Sequence, residues 1–249
     1  MSAGRITYVG HSTVLVELAG VRVLTDPVLR GRVIHIRRQV PMTAVDDLLP
    51  LDAILISHAH ADHLDVPSLR RVGGDCAVIA PRGCAPILRR AGVRETVEMT
   101  VGATRTVGSI SVEAVPALHD GKRHPLGRDM DALGFLLDGP SRVYFAGDTD
   151  LFDEMAQLAG RVDVALLPIA GWGPRLPPGH LGPESAARAV ALIRPAVVIP
   201  IHWGTMRSIG ARHDPDPRAP ALAFAAAVKE HAGATEARIL MPGESMSLA

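Results

Sequence analysis

The 249-residue sequence predicts one α/β domain, residues 1–249, built on two sheets with outer helices. Three observations carry that expectation. Short strand-like runs dominate the first half, strand and helix patterns alternate in the second, and no linker, repeat or low-complexity run divides the chain.

Ile6 to Val9, Thr13 to Leu18 and Arg22 to Thr25 read as an antiparallel meander, with turn signals at Gly10-His11-Ser12 and Ala19-Gly20. Asp26-Pro27 ends it, because proline has no N–H for the ladder. Residues 28–50 hold Arg30, Arg32, Arg37 and Arg38 among prolines and small apolar residues, and read as an irregular connection folding over a site. Solvated surface positions are expected for Arg37 and Arg38. Ala53 to Ile56 is a buried strand, and Asp65-Val66-Pro67 starts a capped helix that runs through Arg71. A strand at Ala77 to Ala80 and a helix from Arg82 to Ala91 follow, then strand-like runs at 96–100, 104–107 and 110–115 broken by Gly102 and Gly108. Leu133 to Leu137 and Arg142 to Ala146 form a hairpin around Asp138-Gly139-Pro140-Ser141. The rest reads as a helix from Leu151 to Leu158, a strand at 162–167, a Gly/Pro-rich loop at 170–182, a helix at 183–193, a strand at 196–201, a loop at 203–218, a helix at 219–231 and a last strand at 237–240.

Composition narrows the function classes. Lys plus Arg equals Asp plus Glu, 26 each, so no global field steers nucleic acid or an anionic membrane to the chain. Aromatic residues are only 3%, too few for a base-stacking platform. No apolar run approaches the roughly 18 residues of a spanning helix, and no signal-peptide pattern opens the chain. A cytoplasmic protein is expected, with a small-molecule substrate, no nucleic-acid partner and no stable membrane insertion; a homo-oligomer is compatible with the sequence. Cys76 and Cys84 lack C-x-x-C spacing and read as reduced, partly buried thiols.

The stretch with chemistry in it is Ser57-His58-Ala59-His60-Ala61-Asp62-His63-Leu64-Asp65, directly behind the buried strand at 53–56. A strand ending in a ligand-rich loop holds imidazoles rigidly and leaves coordination positions open, as a catalytic metal site requires. Side chains from one short loop cannot all converge on one ion, so further ligands are expected at other strand ends. His119, Asp148 and His202 each follow an apolar run. Together with the cluster they supply five His and two Asp, enough for two ions sharing a carboxylate. Donors of nitrogen and oxygen without thiolate suit Zn²⁺, with Mn²⁺ or Fe²⁺ as alternatives.

The H-x-H-x-D-H signature at 58–63, the later His119, Gly147-Asp148-Thr149 and Pro200-Ile201-His202 together resemble the metallo-β-lactamase superfamily along essentially the whole chain. The resemblance implies an αββα four-layer sandwich of two mixed sheets with the site at their shared edge. It implies that His58, His60 and His119 hold one ion, that Asp62, His63 and His202 hold the other, and that Asp148 bridges them. Gly10-His11-Ser12-Thr13, Leu24-Thr25-Asp26-Pro27 and His180-Leu181-Gly182-Pro183-Glu184-Ser185-Ala186, which leads into Pro200-Ile201-His202-Trp203-Gly204-Thr205, are similar to the branch that includes N-acyl-phosphatidylethanolamine phospholipase D and L-ascorbate-6-phosphate lactonase. By that similarity His180 lies at the site mouth and touches the scissile group; the alternative is a capping neighbour of the 183–193 helix. His11 reads as an orienting or strand-packing residue, Asp26 as the partner of a metal-bound histidine, and Asp65 as a helix cap or a similar partner.

The expected function is metal-dependent hydrolysis, in which two ions lower the pKa of a shared water from about 15.7 toward ~7 and the resulting hydroxide attacks an ester-type bond. Asp62 and His180 are the catalytic candidates. The substrate expected first is a phosphodiester or phosphate-containing small molecule; a lactone is the alternative within the class, and a non-catalytic metal-binding or sensor protein the alternative outside it. Loops at 121–130, 170–179 and 203–218 would form the rim, where Arg123, Arg128, Arg175, Arg207 and Arg212 are candidate substrate contacts, Arg123 and Arg207 foremost.

Overall fold

Alternation in the opening strands sets the architecture. In β1 (Arg5–Gly10), β2 (Thr13–Leu18) and β3 (Val21–Thr25), the residues Ile6, Tyr8, Val14, Val16, Leu18, Val21 and Val23 join one core, whereas Val9, Leu15 and Leu24 join another. A period of two means that both faces of this sheet are covered. The protein, described from a computed structural model, is placed at residues 4–123, 129–173, 176–211 and 216–248.

β4 (Arg32–Val33) and β5 (Ile36–Arg38) form a short hairpin, and β6 (Ala53–Leu55), α1 (Val66–Val72), β7 (Ala77–Pro81), α2 (Ala85–Arg90) and β8 (Glu95–Met99) complete the first half. β9 (Thr104–Val107), β10 (Ile110–Pro116), β11 (Leu133–Asp138), β12 (Val143–Phe145) and β13 (Val164–Pro168) lead to α3 (Pro183–Ile193), β14 (Val197–Ile201), β15 (Met206–Ser208), α4 (Ala219–His231), β16 (Glu236–Ala237) and β17 (Ser245–Ser247). The first sheet has the order β17-β1-β2-β3-β6-β7-β8 and the second β16-β14-β13-β12-β11-β10-β9. Both are mixed: β2–β3 and β10–β11 are antiparallel, β3–β6 and β12–β13 parallel.

Ile6, Tyr8 and Leu55 of the first sheet share a core with Phe135, Phe145 and Leu166 of the second and with Ala186, Val190 and Phe224 of α3 and α4. On the other face of the first sheet, Leu24 and Ile54 pack against Leu69 of α1 and Leu88 of α2. The result is the four-layer αββα sandwich. No helix among the described residues is long and apolar enough to cross a membrane.

Four expectations need correction. Residues 28–50 are not wholly irregular: β4 and β5 pair with each other and β5 pairs with β15, making a third, three-stranded sheet. Val28, Val33, Ile36 and Met206 give it a small core of its own. Pairing also explains why Arg38 is buried rather than solvated, because Ile36 and Arg38 face inward while Arg37 faces out. The segment at 151–158 is a 3-10 helix at Asp153–Leu158, the form that short connecting pieces take. At the end of the chain β16 stops at Ala237, and a separate β17 adds an edge beside β1.

Candidate metal centre

All the ligand candidates sit where strands end. β10, β12, β13 and β14 run in one direction, since β10 and β12 are both antiparallel to β11 and β12–β13–β14 are parallel. Their C-terminal ends deliver His119, Asp148 and His202, and β6 delivers the 57–64 loop from the facing sheet. Strand ends of this kind are the usual ligand site of α/β sheets. Gly147 lets the edges meet: with φ +62°, its missing Cβ would lie 2.4 Å from Ser57 Cβ.

Each buried imidazole is fixed through one nitrogen. His63 Nδ1 lies 2.7 Å from Asp26 Oδ2, His202 Nδ1 2.7 Å from Ala170 O, His119 Nδ1 2.8 Å from Gly179 O and His58 Nδ1 2.9 Å from Ser57 Oγ. With Nδ1 donating, the Nε2 of each ring faces inward and, in the neutral form, presents a lone pair there. Ser57 Oγ in turn donates to Asp26 Oδ2 at 2.6 Å, and Ser57 N donates to Asp26 Oδ1 at 2.7 Å. Asp26 therefore orients His63 directly and His58 through Ser57. Asp65, by contrast, caps α1, accepting from Ser68 N, and meets Arg30 Nη2 at 2.7 Å.

Two pockets result. In the first, His60 Nδ1 lies 2.9 Å from His58 Nε2 and 3.2 Å from His119 Nε2. Three imidazole lone pairs at that spacing are close to the roughly 3.3 Å edge of a tetrahedron whose corners lie ~2.0–2.1 Å from a zinc ion. In the second, Asp148 Oδ2 lies 3.1 Å from His63 Nε2 and 3.4 Å from His202 Nε2, while Asp62 Oδ2 lies 3.7 Å and 3.9 Å from the same two nitrogens. His63 Nε2, His202 Nε2 and Asp148 Oδ1 are buried with no hydrogen-bond partner. Orphaned buried polar atoms are costly, and two such imidazole nitrogens facing the carboxylates of Asp62 and Asp148 fit a cation.

Electrostatics agree. Burial, with the neighbouring imidazoles of His63 and His119, lowers the His60 pKa to about 4. Burial lowers that of His202 to about 3 and that of His58 well below its ordinary value. These rings are neutral and ready to ligate at pH 7. Burial opposes charge on His63 too, but Asp148, Asp62 and Asp26 outweigh it and raise its pKa well above the ordinary value. A positive charge is what this pocket is shaped to hold. Asp62 and Asp148 are driven well below the carboxylate range by the surrounding histidines, against the effect of burial.

Several neighbours complete the site. His180 Nε2 lies 3.4 Å from Asp148 Oδ2, and its ring stands edge-on to His119 at 4.7 Å. Burial opposes its charge, but Asp148 wins and raises its pKa. It stands beside the ligands; the start of α3 is capped by Gly182 and Ser185 instead. Arg123 differs from its expected role as a substrate contact: Nη1 donates to Ala59 O at 2.9 Å and Leu64 O at 2.6 Å, so it braces the ligand loop. Arg207 lines a cavity of about 530 Å³ with Ala170, Leu176, Met206 and Pro217. Arg128, Arg175 and Arg212 lie outside the described residues. Cys76 and Cys84 are buried, unpaired and far from ionising, their pKa values pushed by burial to about 11 and about 12.

Sequence reasoning missed Trp172. Its Nε1 donates to Asp62 Oδ2 at 2.7 Å, and His35 at the tip of the β4–β5 hairpin meets its ring edge-on at 5.5 Å. A tryptophan between Gly171 and Gly173, in a chain with only two, was the available signal.

Residues 21–203 match the family described as beta-lactamase superfamily domain. The chain is 37% identical, over 98% of its length and 99% of the other's, to a UPF0173 metal-dependent hydrolase of Pyrococcus furiosus. It is 36% identical to another of Archaeoglobus fulgidus, over 97% of each. Among solved structures, Igni18, a metallo hydrolase from Ignicoccus hospitalis, superposes with a TM-score of 0.76 at 27% identity, over 100% of this chain and 99% of that one. CmlA, a diiron beta-hydroxylase from Streptomyces venezuelae, shares the fold with a TM-score of 0.77 at 22% identity, over 100% of this chain and 55% of that one. With a family match over most of its length and relatives aligned from end to end, the chain belongs to the metallo-β-lactamase superfamily and, within it, to the UPF0173 metal-dependent hydrolases.

Proposed function

We propose that the chain hydrolyses an ester-type bond of a phosphate-containing small molecule, a phosphodiester in the first instance, with two divalent ions, Zn²⁺ before Mn²⁺ or Fe²⁺. The observation that carries this reading is the shared carboxylate. Asp148 lies within reach of His63 and His202 of the second pocket and belongs with His119 of the first and His180 to a group of converging donor atoms. His58, His60 and His119 would hold one ion, and Asp62, His63 and His202 the other, with Asp148 between them. Bound there, such ions lower the pKa of a water and clamp the attacking and leaving oxygens of an in-line displacement.

The chain's own residues do the rest. Asp62 is anchored by Trp172 through Oδ2, which leaves Oδ1 to hold a proton of the attacking water. His180, drawn toward its protonated form by Asp148, donates from Nε2 to the reacting group. Arg207 and the cavity beside Ala170 would receive the body of the substrate. Similarity of the 10–13, 24–27 and 180–186 stretches to the phospholipase puts a phosphodiester first, and similarity of the same stretches to the lactonase makes a lactone the alternative.

Metal-loaded protein is tested on bis(p-nitrophenyl) phosphate and on simple lactones, with metal content read by elemental analysis. Turnover of the phosphodiester that disappears on chelation is expected. Turnover of lactones alone would move the reaction to carbon, and two bound ions without turnover on either panel would make the site non-catalytic.

A further inference from the structure

The expected ligand set leaves one imidazole unexplained. His11 is buried in the turn between β1 and β2, and its Nε2 lies 3.1 Å from Asp62 Oδ2. Its ring centroid is 4.0 Å from that of His202 and 5.3 Å from that of His63. Donor atoms of His11, Asp62, His63 and His202 all lie within 4.8 Å of one another, and all four residues are buried.

Placing the ring there takes a special backbone. His11 has φ +60°, a left-handed conformation that a histidine adopts at a cost. Its N–H donates to Thr205 Oγ1 at 2.9 Å, and its carbonyl accepts the N–H of His202 at 2.8 Å. Gly10, at φ +123°, makes room: a Cβ there would come within 2.9 Å of Thr205. The two motifs Gly10-His11-Ser12-Thr13 and His202-Trp203-Gly204-Thr205 are thus one unit, and it presents two imidazoles side by side.

The contact is a hydrogen bond when His11 Nε2 carries a proton and an edge of a coordination shell when it presents its lone pair. Asp62 Oδ2 already accepts the indole N–H of Trp172 at 2.7 Å, and the Nε2 atoms of His11, His63 and His202 close on it at 3.1, 3.7 and 3.9 Å. His11 thus stands nearer to that oxygen than either expected histidine ligand does, and its 3.1 Å matches the 3.1 Å and 3.4 Å edges that Asp148 makes with His63 and His202. We propose that His11 is an additional protein ligand of the second ion, which makes that site five-donor (His11, Asp62, His63, His202 and the shared Asp148) against the three imidazoles and shared carboxylate of the first. This rests on the two-metal reading of the site above. It gives the second pocket a coordination number that Mn²⁺, Fe²⁺ or Co²⁺ fill readily and that exceeds the tetrahedral habit of zinc.

The test uses the full chain loaded with Co²⁺, whose visible d–d bands strengthen as coordination falls from six or five to four, together with chelator-competition titrations for each equivalent. His11→Asn keeps a residue that tolerates the left-handed backbone but cannot reach the ion; the first equivalent, bound as in wild type, reports that the variant is folded. Trp172→Phe removes the other partner of Asp62 Oδ2 and leaves the imidazole. Expected for His11→Asn are stronger bands for the second Co²⁺ and binding of that equivalent at least tenfold weaker. Trp172→Phe is expected to keep the wild-type band intensity. Unchanged bands in His11→Asn overturn the assignment whatever the affinity, because His11 then acts through Asp62 or not at all. Wild-type protein that takes up fewer than two ions overturns the two-metal reading itself, and this inference with it.

Discussion

The two pockets of the centre are built by different means. The first draws His58 and His60 from one loop and His119 from another, and both His60 and His119 are partly open to solvent. The second is closed, with Asp62, His63 and His202 all buried. Its surroundings also hold the strained backbone: His11 at φ +60°, Asp26 at +31° and His202 at +61°. Left-handed φ at residues other than glycine costs on the order of 1–3 kcal/mol each, and it persists only where surrounding structure over-determines it. None of the first-pocket ligands carries that cost. The first pocket is therefore free of left-handed backbone and open to exchange, whereas the second is closed and held by strained backbone that contacts between distant segments over-determine.

Asp26 is where the comparison can be broken most completely, because it serves both sides. Asp26→Ala removes the acceptor of His63 and, through Ser57, the anchor of His58. Loss of one such supporting group typically costs 10- to 100-fold in metal affinity. Both equivalents are expected to weaken by about that much in competition titrations. A variant that weakened only the second equivalent would show that Ser57 holds His58 without help from Asp26. Chelation sharpens the contrast next. With a chelator in excess, the ion of the open first pocket is expected to leave first, and activity to fall with that first phase. Simultaneous loss of both ions would erase the distinction between the pockets.

The convergence of the candidate donors was legible in the sequence because they follow strand ends: apolar runs followed by His58, His119, Asp148 and His202 mark themselves. The meander was legible for the same reason, as β1 to β3 alternate apolar and polar or are bounded by Gly10 and Gly20. The third sheet was not. Strands of two or three residues, Arg32–Val33 and Ile36–Arg38, are too short to show a period, and their partner Met206–Ser208 lies far along the chain. Arg37 and Arg38 are adjacent and chemically identical, yet only the pairing of β5 with β15 decides which is buried. Trp172 was illegible as an anchor for a related reason, since its bond to Asp62 spans 110 residues and starts in a Gly/Pro-rich loop.

That bond offers a more selective way to test the second pocket. Trp172→Phe keeps the ring that packs against Val28, Val33 and Met206 but deletes the N–H held by Asp62 Oδ2. A hydrogen bond to a charged acceptor contributes about 1.5–3 kcal/mol, so the second equivalent should bind roughly tenfold or more weakly while the first is unmoved. Equal weakening of both would mean that Asp62 communicates with the first pocket through its loop.

The smallest effect on metal, and a large one on turnover, is expected at His180. It touches both pockets, with Nε2 3.4 Å from Asp148 and its ring against His119, but its Nδ1 stays close to the carbonyls of Pro177 and Pro178 at 3.2 Å and 3.1 Å. Those carbonyls engage Nδ1 and leave Nε2 facing Asp148, the arrangement expected of a proton donor standing beside the ions. His180→Asn should therefore leave both metal affinities within about twofold while lowering kcat by ~10²-fold or more, the range for a group that donates a proton in the transition state. Binding of product phosphate separates that role from a structural one. A variant that loses kcat but binds phosphate as wild type does has lost a donor acting in the transition state. A variant that instead loses the first ion has lost the packing of His119, and His180 would then belong with Gly179 among the supports of the open pocket.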